Sequence, residues 1–224
     1  MKYIIYSVNI DGYDFFNEPK IIDKNVRYIL FTDNKDFKSE VWEVNHVDFI
    51  SNLDNRLKSR YIKLNPNIVL PNHDVSLWVD HTFTPKIDNF ETFLNSIRFK
   101  NISIYKHRIR NCIYDEGKKV ISVKKEYESV VNKQLNKYIS EGYPRFNGLY
   151  ETGFMVRKNT ESVNLFNRVW WFEVSNGSGR DQLSQVYSSW KTNTIVDPIL
   201  VGTSAYDNPF TEYNKHVKEY KIPK

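Results

Sequence analysis

"SLWVDHT", residues 76–82, is the stretch on which the fold turns. Its apolar run, Leu77-Trp78-Val79, stops on a carboxylate, Asp80. A short apolar run bounded by polar residues reads as a buried strand. An aspartate at such a tip has two readings. It caps a turn or the next helix, or it stands at the carboxyl end of a parallel sheet, where α/β folds gather their ligands. The rest of the chain decides whether Asp80 is alone.

It is not. KYIIYSVN (2–9) reads as a first strand closed by the turn Asp11-Gly12, and RYILFTD (27–33) as a second ending on Thr32-Asp33. VWEVNHV (41–47) alternates like a third, ISIYKH (102–107) ends on His107, and GLYETGFMVR (148–157) and TIVD (194–197) complete the strand candidates. Between them the apolar period lengthens to that of helices. These cover 54–65, stopped by Pro66; 88–99, with Asp88 as N-cap; and 123–140, ending before Gly142 and Pro144. A further helix follows Thr160 and carries Val163, Phe166, Trp170 and Val174 as far as Asn176-Gly177; SGRDQLSQVY (178–187) opens another. Alternating strands and helices predict an α/β sandwich, a mostly parallel central sheet flanked by helices. Asp11, Asp33, Asp80 and His107 then share one rim.

The 224 residues are 40% hydrophobic, with 15 Tyr, 14 Phe and 5 Trp, enough for a sizeable core in one large domain or two packed lobes. The net charge of +5 suits a diphosphate-bearing substrate. The basic residues are dispersed, which argues against nucleic acid as partner. Cys112 is the single cysteine, so neither an internal disulfide nor a cysteine metal cluster forms; its apolar neighbour Ile113 marks it as packing. The first sixteen residues lack a signal peptide's apolar region and cleavage site, and no segment approaches the ~20 apolar residues of a membrane span. The expectation is a soluble, cytoplasmic protein.

Several clusters carry chemistry. Asp80 at its strand tip could hold a divalent cation, Mn²⁺ or Mg²⁺, that bridges nucleotide phosphates. Thr32 and Asp33 could bond a base or ribose hydroxyl, or form an Asx turn. Arg56, Arg60 and Lys63 make a basic stripe at helical spacing beside the apolar stripe Leu57, Tyr61 and Leu64; it either neutralises a departing diphosphate or faces solvent. His107 with Asp115 or Glu116 offers metal ligands, though a hydrogen-bonded structural histidine is the plainer reading. Glu151 interrupts an apolar strand, which requires a cleft or an arginine partner. Ser178 and Asp181 have the spacing of a capping box. Arg180 and Gln182 add a cation and an amide where a helix start already favours anions. From chemistry alone, cap and active-site edge remain equal readings of that stretch.

Nine separated stretches, in order, then match one pattern: YSVNIDGYD (6–14), ILFTD (29–33), SRYIKLNP (59–66), SLWVDHT (76–82), YKHRIRNCIYDE (105–116), QLNKYISEGYP (134–144), GLYETGFMVRKN (148–159), VWWFEV (169–174) and SGRDQLS (178–184). The chain resembles a glycosyltransferase-like family of plants, bacteria and large viruses, first catalogued as a domain of unknown function and including plant seed-mucilage proteins. The resemblance implies a GT-A-like, Rossmann-type sandwich as a single domain over 1–224. About 1–100 would bind a nucleotide-sugar donor, UDP- or GDP-linked, and about 101–224 would face a glycan acceptor. It implies sugar transfer to a hydroxyl. Tyr6, Val8, Asp11, Thr32, Asp33, Arg60, Lys63, Asp80, Arg180 and Gln182 would bind the donor. Asp80 would occupy the metal position, and Asp181 and Glu151 would be catalytic. Asp80-His81-Thr82 lacks the second carboxylate of the Asp-X-Asp found in many GT-A enzymes. A metal there needs a distant ligand such as His216, or else Arg60, Lys63 or Arg180 balances the leaving group. The rival readings are a non-catalytic carbohydrate- or nucleotide-binding module, a nucleic-acid-binding domain, and a metal-dependent phosphohydrolase using Asp80 and Asp181.

Overall fold

A computed structural model describes residues 1–12 and 17–214. The strands are β1 (Tyr3–Asn9), β2 (Val26–Thr32), β3 (Glu43–His46), β4 (Val75–Val79), β5 (Phe83–Pro85), β6 (Ile102–Lys106), β7 (Tyr150–Lys158), β8 (Asp197–Pro198) and β9 (Thr211–Tyr213). The helices are α1 (Asn55–Leu64), α2 (Pro66–Val69), α3 (Phe90–Ser96), α4 (Ile113–Ser122), α5 (Glu128–Ser140), α6 (Glu161–Asn176) and α7 (Asp181–Lys191).

Seven strands form one sheet in the order β3-β2-β1-β4-β7-β6-β8, while β5 and β9 pair separately. β1 pairs parallel with both β2 and β4, β2 parallel with β3, and β6 parallel with β8; only β7 runs antiparallel to its neighbours β4 and β6. The sheet is therefore mostly parallel, as the alternating pattern predicts. β1 and β4 are buried along their whole length, as parallel strands covered on both faces must be. One face packs Ile5, Leu30, Leu77 and Val156 with Phe90 and Phe93 of α3. The other packs Ile4, Tyr6, Trp78 and Met155 with Ile62 of α1 and Phe166 and Trp170 of α6. α4, α5 and α7 build a third cluster from Val120, Leu135, Tyr138 and Tyr187.

Some element boundaries differ from expectation. Pro66 opens the short α2 as its first residue, where a missing N–H costs nothing. α3 is capped by Asn89, whose side chain accepts from Thr92 N, and not by Asp88. α4 was not expected, and residues 123–127 form the turn between it and α5. Its Gly117 lets α5 come close: a Cβ there would stand 2.4 Å from Leu135 Cδ1. The last strand of the main sheet is 197–198, shifted from 194–197. Among the described residues, no helix is long and apolar enough to cross a membrane.

The carboxyl ends of β1 to β4 lie on one edge. Because β7 is reversed, its amino end, carrying Glu151 and Thr152, lies on that edge too, beside the carboxyl end of β6. Asp11, Asp33, Asp80 and His107 thus share the rim. Register adds one detail. Ile104 faces Met155, yet Tyr105 faces Glu151, so residues 152–154 of β7 bulge out of the β6 pairing. Bulges of this kind re-aim side chains beside functional sites.

Candidate active site

Asp54 starts α1 by accepting from Leu57 N at 2.8 Å, a cap worth about 1 kcal/mol. Two and a half turns later the last turn of the helix carries Lys63 under the sheet rim, only 1% exposed. The carbonyl of Lys63 accepts from the Tyr6 hydroxyl at 2.8 Å and from the Arg157 guanidinium. Arg157 is itself fully buried and donates to Asn167 and Tyr6 as well. These bonds fix the end of α1, and with it the root of the lysine side chain.

The Lys63 ammonium lies between two carboxylates, 2.6 Å from Asp181 Oδ2 and 3.1 Å from Asp80 Oδ1. It also stands 5.4 Å from the centre of the Trp78 ring. Trp78 Nε1 donates to Asp80 Oδ1 at 2.7 Å. Asp80 N donates to Gly153 O at 2.7 Å, so the β7 bulge holds the aspartate's backbone. Thr152, also in the bulge, donates to Asp181 Oδ2 at 2.9 Å. Arg60, one turn before Lys63, approaches Asp181 Oδ1 at 3.4 Å. Burial alone would raise the Asp181 pKa. Arg60, Lys63 and Arg180 outweigh it and hold the carboxyl well below the usual range. Asp181 is a stable anion and a weak proton acceptor.

Asp181 is the first residue of α7, and the N-cap is Arg180. The expected pairing of Ser178 with Asp181 does not form. The Ser178 hydroxyl accepts from Arg180 N, and the Asp181 carboxylate turns to Lys63. Trp170 Nε1 donates to Asp181 O at 2.9 Å and anchors the turn. Gln182 reaches back to donate to Tyr150 O at 2.8 Å. Arg56, the first member of the basic stripe, pairs with Glu126 at 2.7 Å and packs against Gly179, which sits at φ +65°.

Glu151 is buried, and it pairs with Arg108 at 3.4 Å while Ala205 N donates to it at 2.9 Å. Burial raises its pKa against the pull of these donors. Arg108 in turn lies 4.0 Å over the Tyr206 ring, which packs edge-on against Phe83. Burial pushes the Tyr206 hydroxyl up to about 12, with Asp80 and Glu151 adding to the rise.

The remaining expected donor-binding residues divide. Asp33 accepts from Asp11 N at 3.0 Å through both oxygens, joining two strand tips. The Thr32 hydroxyl accepts from Asn34 N, a local turn. The side chains of Tyr6, 0% exposed, and Val8 are packed in the core, and Tyr6 supports the site from beneath, through the Lys63 carbonyl. His107 is structural. Its Nδ1 accepts from Ile109 N and Arg110 N, and Glu116 is taken by Arg110. Cys112 is a buried free thiol. His216 lies outside the described residues.

A divalent cation on Asp80 would have to use the oxygen that Lys63 and Trp78 do not engage, with its other ligands drawn from the diphosphate or from residues outside the described ones. Asp80 Oδ1 is already shared by an indole N–H and an ammonium. Among the described residues, no three His, Cys, Asp or Glu side chains gather as a metal cage. The place between Asp80 and Asp181 is filled by the charge of Lys63.

Sequence reasoning gave no site role to Thr152, Gly153, Trp170, Arg157 or Tyr206. The signal for the first two was in view: a small pair, Thr-Gly, inside an apolar strand marks a bulge or a close approach. A Cβ on Gly153 would stand 2.7 Å from Phe83 Cε2 and 3.0 Å from Asp80 Oδ2. Gly153→Ala is therefore expected to lower stability by roughly 1–3 kcal/mol through overpacking and to displace Asp80. Urea unfolding checks the first effect; a loss no larger than that of an exposed Gly→Ala change refutes it.

Glu151 supplies a pH test. Its folded pKa is raised, so its stabilising contribution is complete below the unfolded value of about 4.3 and fades as pH rises through the folded value. Glu151→Gln removes that dependence. The melting temperature of the variant relative to the parent should rise between pH 4 and pH 7, and a flat difference refutes the assignment.

The profile of the TOD1/MUCI70, glycosyltransferase-like domain matches residues 2–201. The chain is 23% identical over 228 residues to the probable hexosyltransferase MUCI70 of Arabidopsis thaliana, covering 90% of this chain and 38% of that protein. The apo structure of mouse xyloside xylosyltransferase 1 superposes with a TM-score of 0.47 at 8% identity, covering 88% of this chain and 84% of that one. With nearly its whole length matched, the chain belongs to the TOD1/MUCI70 glycosyltransferase-like domain family.

Proposed function

We propose that the chain transfers a sugar from a nucleotide-sugar donor, UDP- or GDP-linked, to a hydroxyl of a glycan acceptor. One observation carries the reading: a buried lysine ammonium held between Asp80 and Asp181 at the carboxyl edge of a parallel sheet, the place where α/β folds bind ligands. Lys63 and Arg60 provide positive charge for the diphosphate and for the charge that grows on it as the sugar leaves. Fixed cations in a largely dry site act most strongly on charge that develops in the transition state. They take the place of Mn²⁺ or Mg²⁺ in this reading. Asp181, kept anionic, stabilises positive charge developing at the donor carbon. Glu151, with its raised pKa, is the better proton acceptor for the attacking hydroxyl.

The test is thermal stability against a panel of nucleoside diphosphates and nucleotide sugars, with Mn²⁺ and with EDTA. A ligand at ~100 times its dissociation constant adds about 2.7 kcal/mol. A shift with one nucleotide family that survives EDTA, followed by sugar release or transfer, is the expected result. A shift lost in EDTA returns the charge-balancing role to a metal on Asp80. Binding without any turnover makes the chain a binding module, and no shift with any nucleotide removes the transferase reading.

A further inference from the structure

One residue along β7 from Glu151, Tyr150 lines a groove of about 360 Å³, near the lower end of the range for small-molecule sites. Its other walls include Ser189 and Trp190 from the last turn of α7, Asn147 from the turn before β7, and Asn193 and Thr194 after α7. The groove is tied to the carboxylate cluster through shared elements. Gln182, the neighbour of Asp181, donates to Tyr150 O at 2.8 Å, and the Tyr150 hydroxyl donates to Val196 O at 3.3 Å. Tyr143 meets the Trp190 ring edge-on at 5.5 Å and holds it in place.

The chemistry of the lining is selective. A quarter of the chain is charged, yet no lining side chain of this groove carries a charge. Such a surface offers nothing to a diphosphate, whose binding requires cations or pre-aimed N–H groups. It offers instead two aromatic rings, two amides, three aliphatic side chains and two aliphatic hydroxyls, of which Ser189 donates to Thr194 O and Thr194 bonds Thr192, so that both keep lone pairs to accept with. Rings pack on the C–H faces of a sugar, while amides and hydroxyls exchange hydrogen bonds with its hydroxyls without desolvating an ion. We propose that the groove is a subsite for a neutral sugar unit of the acceptor glycan. The proposal rests on the transferase reading, and it assigns the acceptor to the α7 side of β7.

The test uses four neutral tetrasaccharides, of gluco, galacto, manno and xylo configuration, titrated by saturation-transfer NMR against the full chain and two variants. Trp190→Ala removes the platform and should weaken binding by about tenfold or more. Because Trp190 also packs on Tyr143 and Tyr187, a second variant is included: Asn147→Leu changes an exposed residue, keeps the fold and should weaken binding several-fold. Nucleoside diphosphate binding should be unchanged in both. Nucleotide binding with no tetrasaccharide bound, or with tetrasaccharide binding indifferent to both variants, overturns the groove and leaves the transferase reading standing. Tetrasaccharide bound in the groove of a chain that binds no nucleotide removes the acceptor role, because no donor is then present to serve it.

Discussion

Lys63→Met is expected to weaken nucleotide binding and turnover together, if the chain is the proposed transferase. The side chain is the shared partner of Asp181 and Asp80, at 2.6 and 3.1 Å, and is 1% exposed. Without it the two carboxylates face an incoming diphosphate with only Arg60 and Arg180 to offset them. Turnover should fall roughly 10²–10³-fold, and nucleoside diphosphate affinity should fall with it. The fold suffers as well, since a buried carboxylate loses its nearest cation, a change that costs roughly 3–5 kcal/mol. Lys63→Arg is not a rescue: a planar fork does not fit a space shaped for a compact ammonium. The stability loss also depends on pH. The Asp181 pKa is depressed in the folded protein, so its contribution is present above the unfolded value of about 3.9 and drains away as pH falls toward the folded value. The variant raises that folded value, and the gap between variant and parent should narrow below about pH 4. Thermal unfolding between pH 3 and pH 7 measures it. An unchanged gap shows that Lys63 and Asp181 are not coupled.

Asp181→Asn should separate binding from chemistry. The amide keeps the shape and can still accept from Thr152, but the local balance becomes more positive. Nucleoside diphosphate should bind at least as tightly as before, while turnover drops by roughly 10²–10³-fold if Asp181 has the role proposed for it at the donor carbon. Calorimetry for the nucleotide and single-turnover sugar transfer give the two numbers. Near-normal turnover with the fold intact would mean that Asp181 serves only to organise Lys63 and the start of α7. The two variants are thus expected to move nucleotide affinity in opposite directions, which no general loss of folding can imitate.

The sequence shows much of this through burial. Runs such as YIIYSVN and SLWV are apolar throughout because parallel strands are covered on both faces, and their polar tips mark the rim. Strand direction leaves no such trace. GLYETGFMVR reads as a strand either way, and only tertiary pairing reverses β7 and brings Glu151 and Thr152 to the edge with Asp80. The three-residue β5 and β9 fall below any periodic signal, and Pro85 reads as a break. α4 hides because Gly117 reads as a helix breaker, whereas its lack of a side chain is what lets α5 dock. At the site, helical spacing exposes the basic stripe on α1, but not its destination. Asp181 looks like half of a capping box because spacing cannot report which way a carboxylate turns. The buried Lys63 and the partly buried Arg60 decide that, and they come from far along the chain.

The reversed strand β7 also governs when the site can exist. Lys63 and Asp80 belong to the portion of chain ending at β4, while Thr152 and Asp181 arrive after β6. In the main sheet the two portions meet along one seam, Val75 to Val79 against Lys158 to Phe154. That pairing closes a long loop, and contacts of such separation form late and slowly. Before the seam closes, Lys63 is a loose surface lysine and Asp181 an unremarkable carboxylate. The ion cluster is therefore a reporter of completed assembly: a chain caught with its two portions unjoined keeps much of its helix and strand content and lacks the cluster.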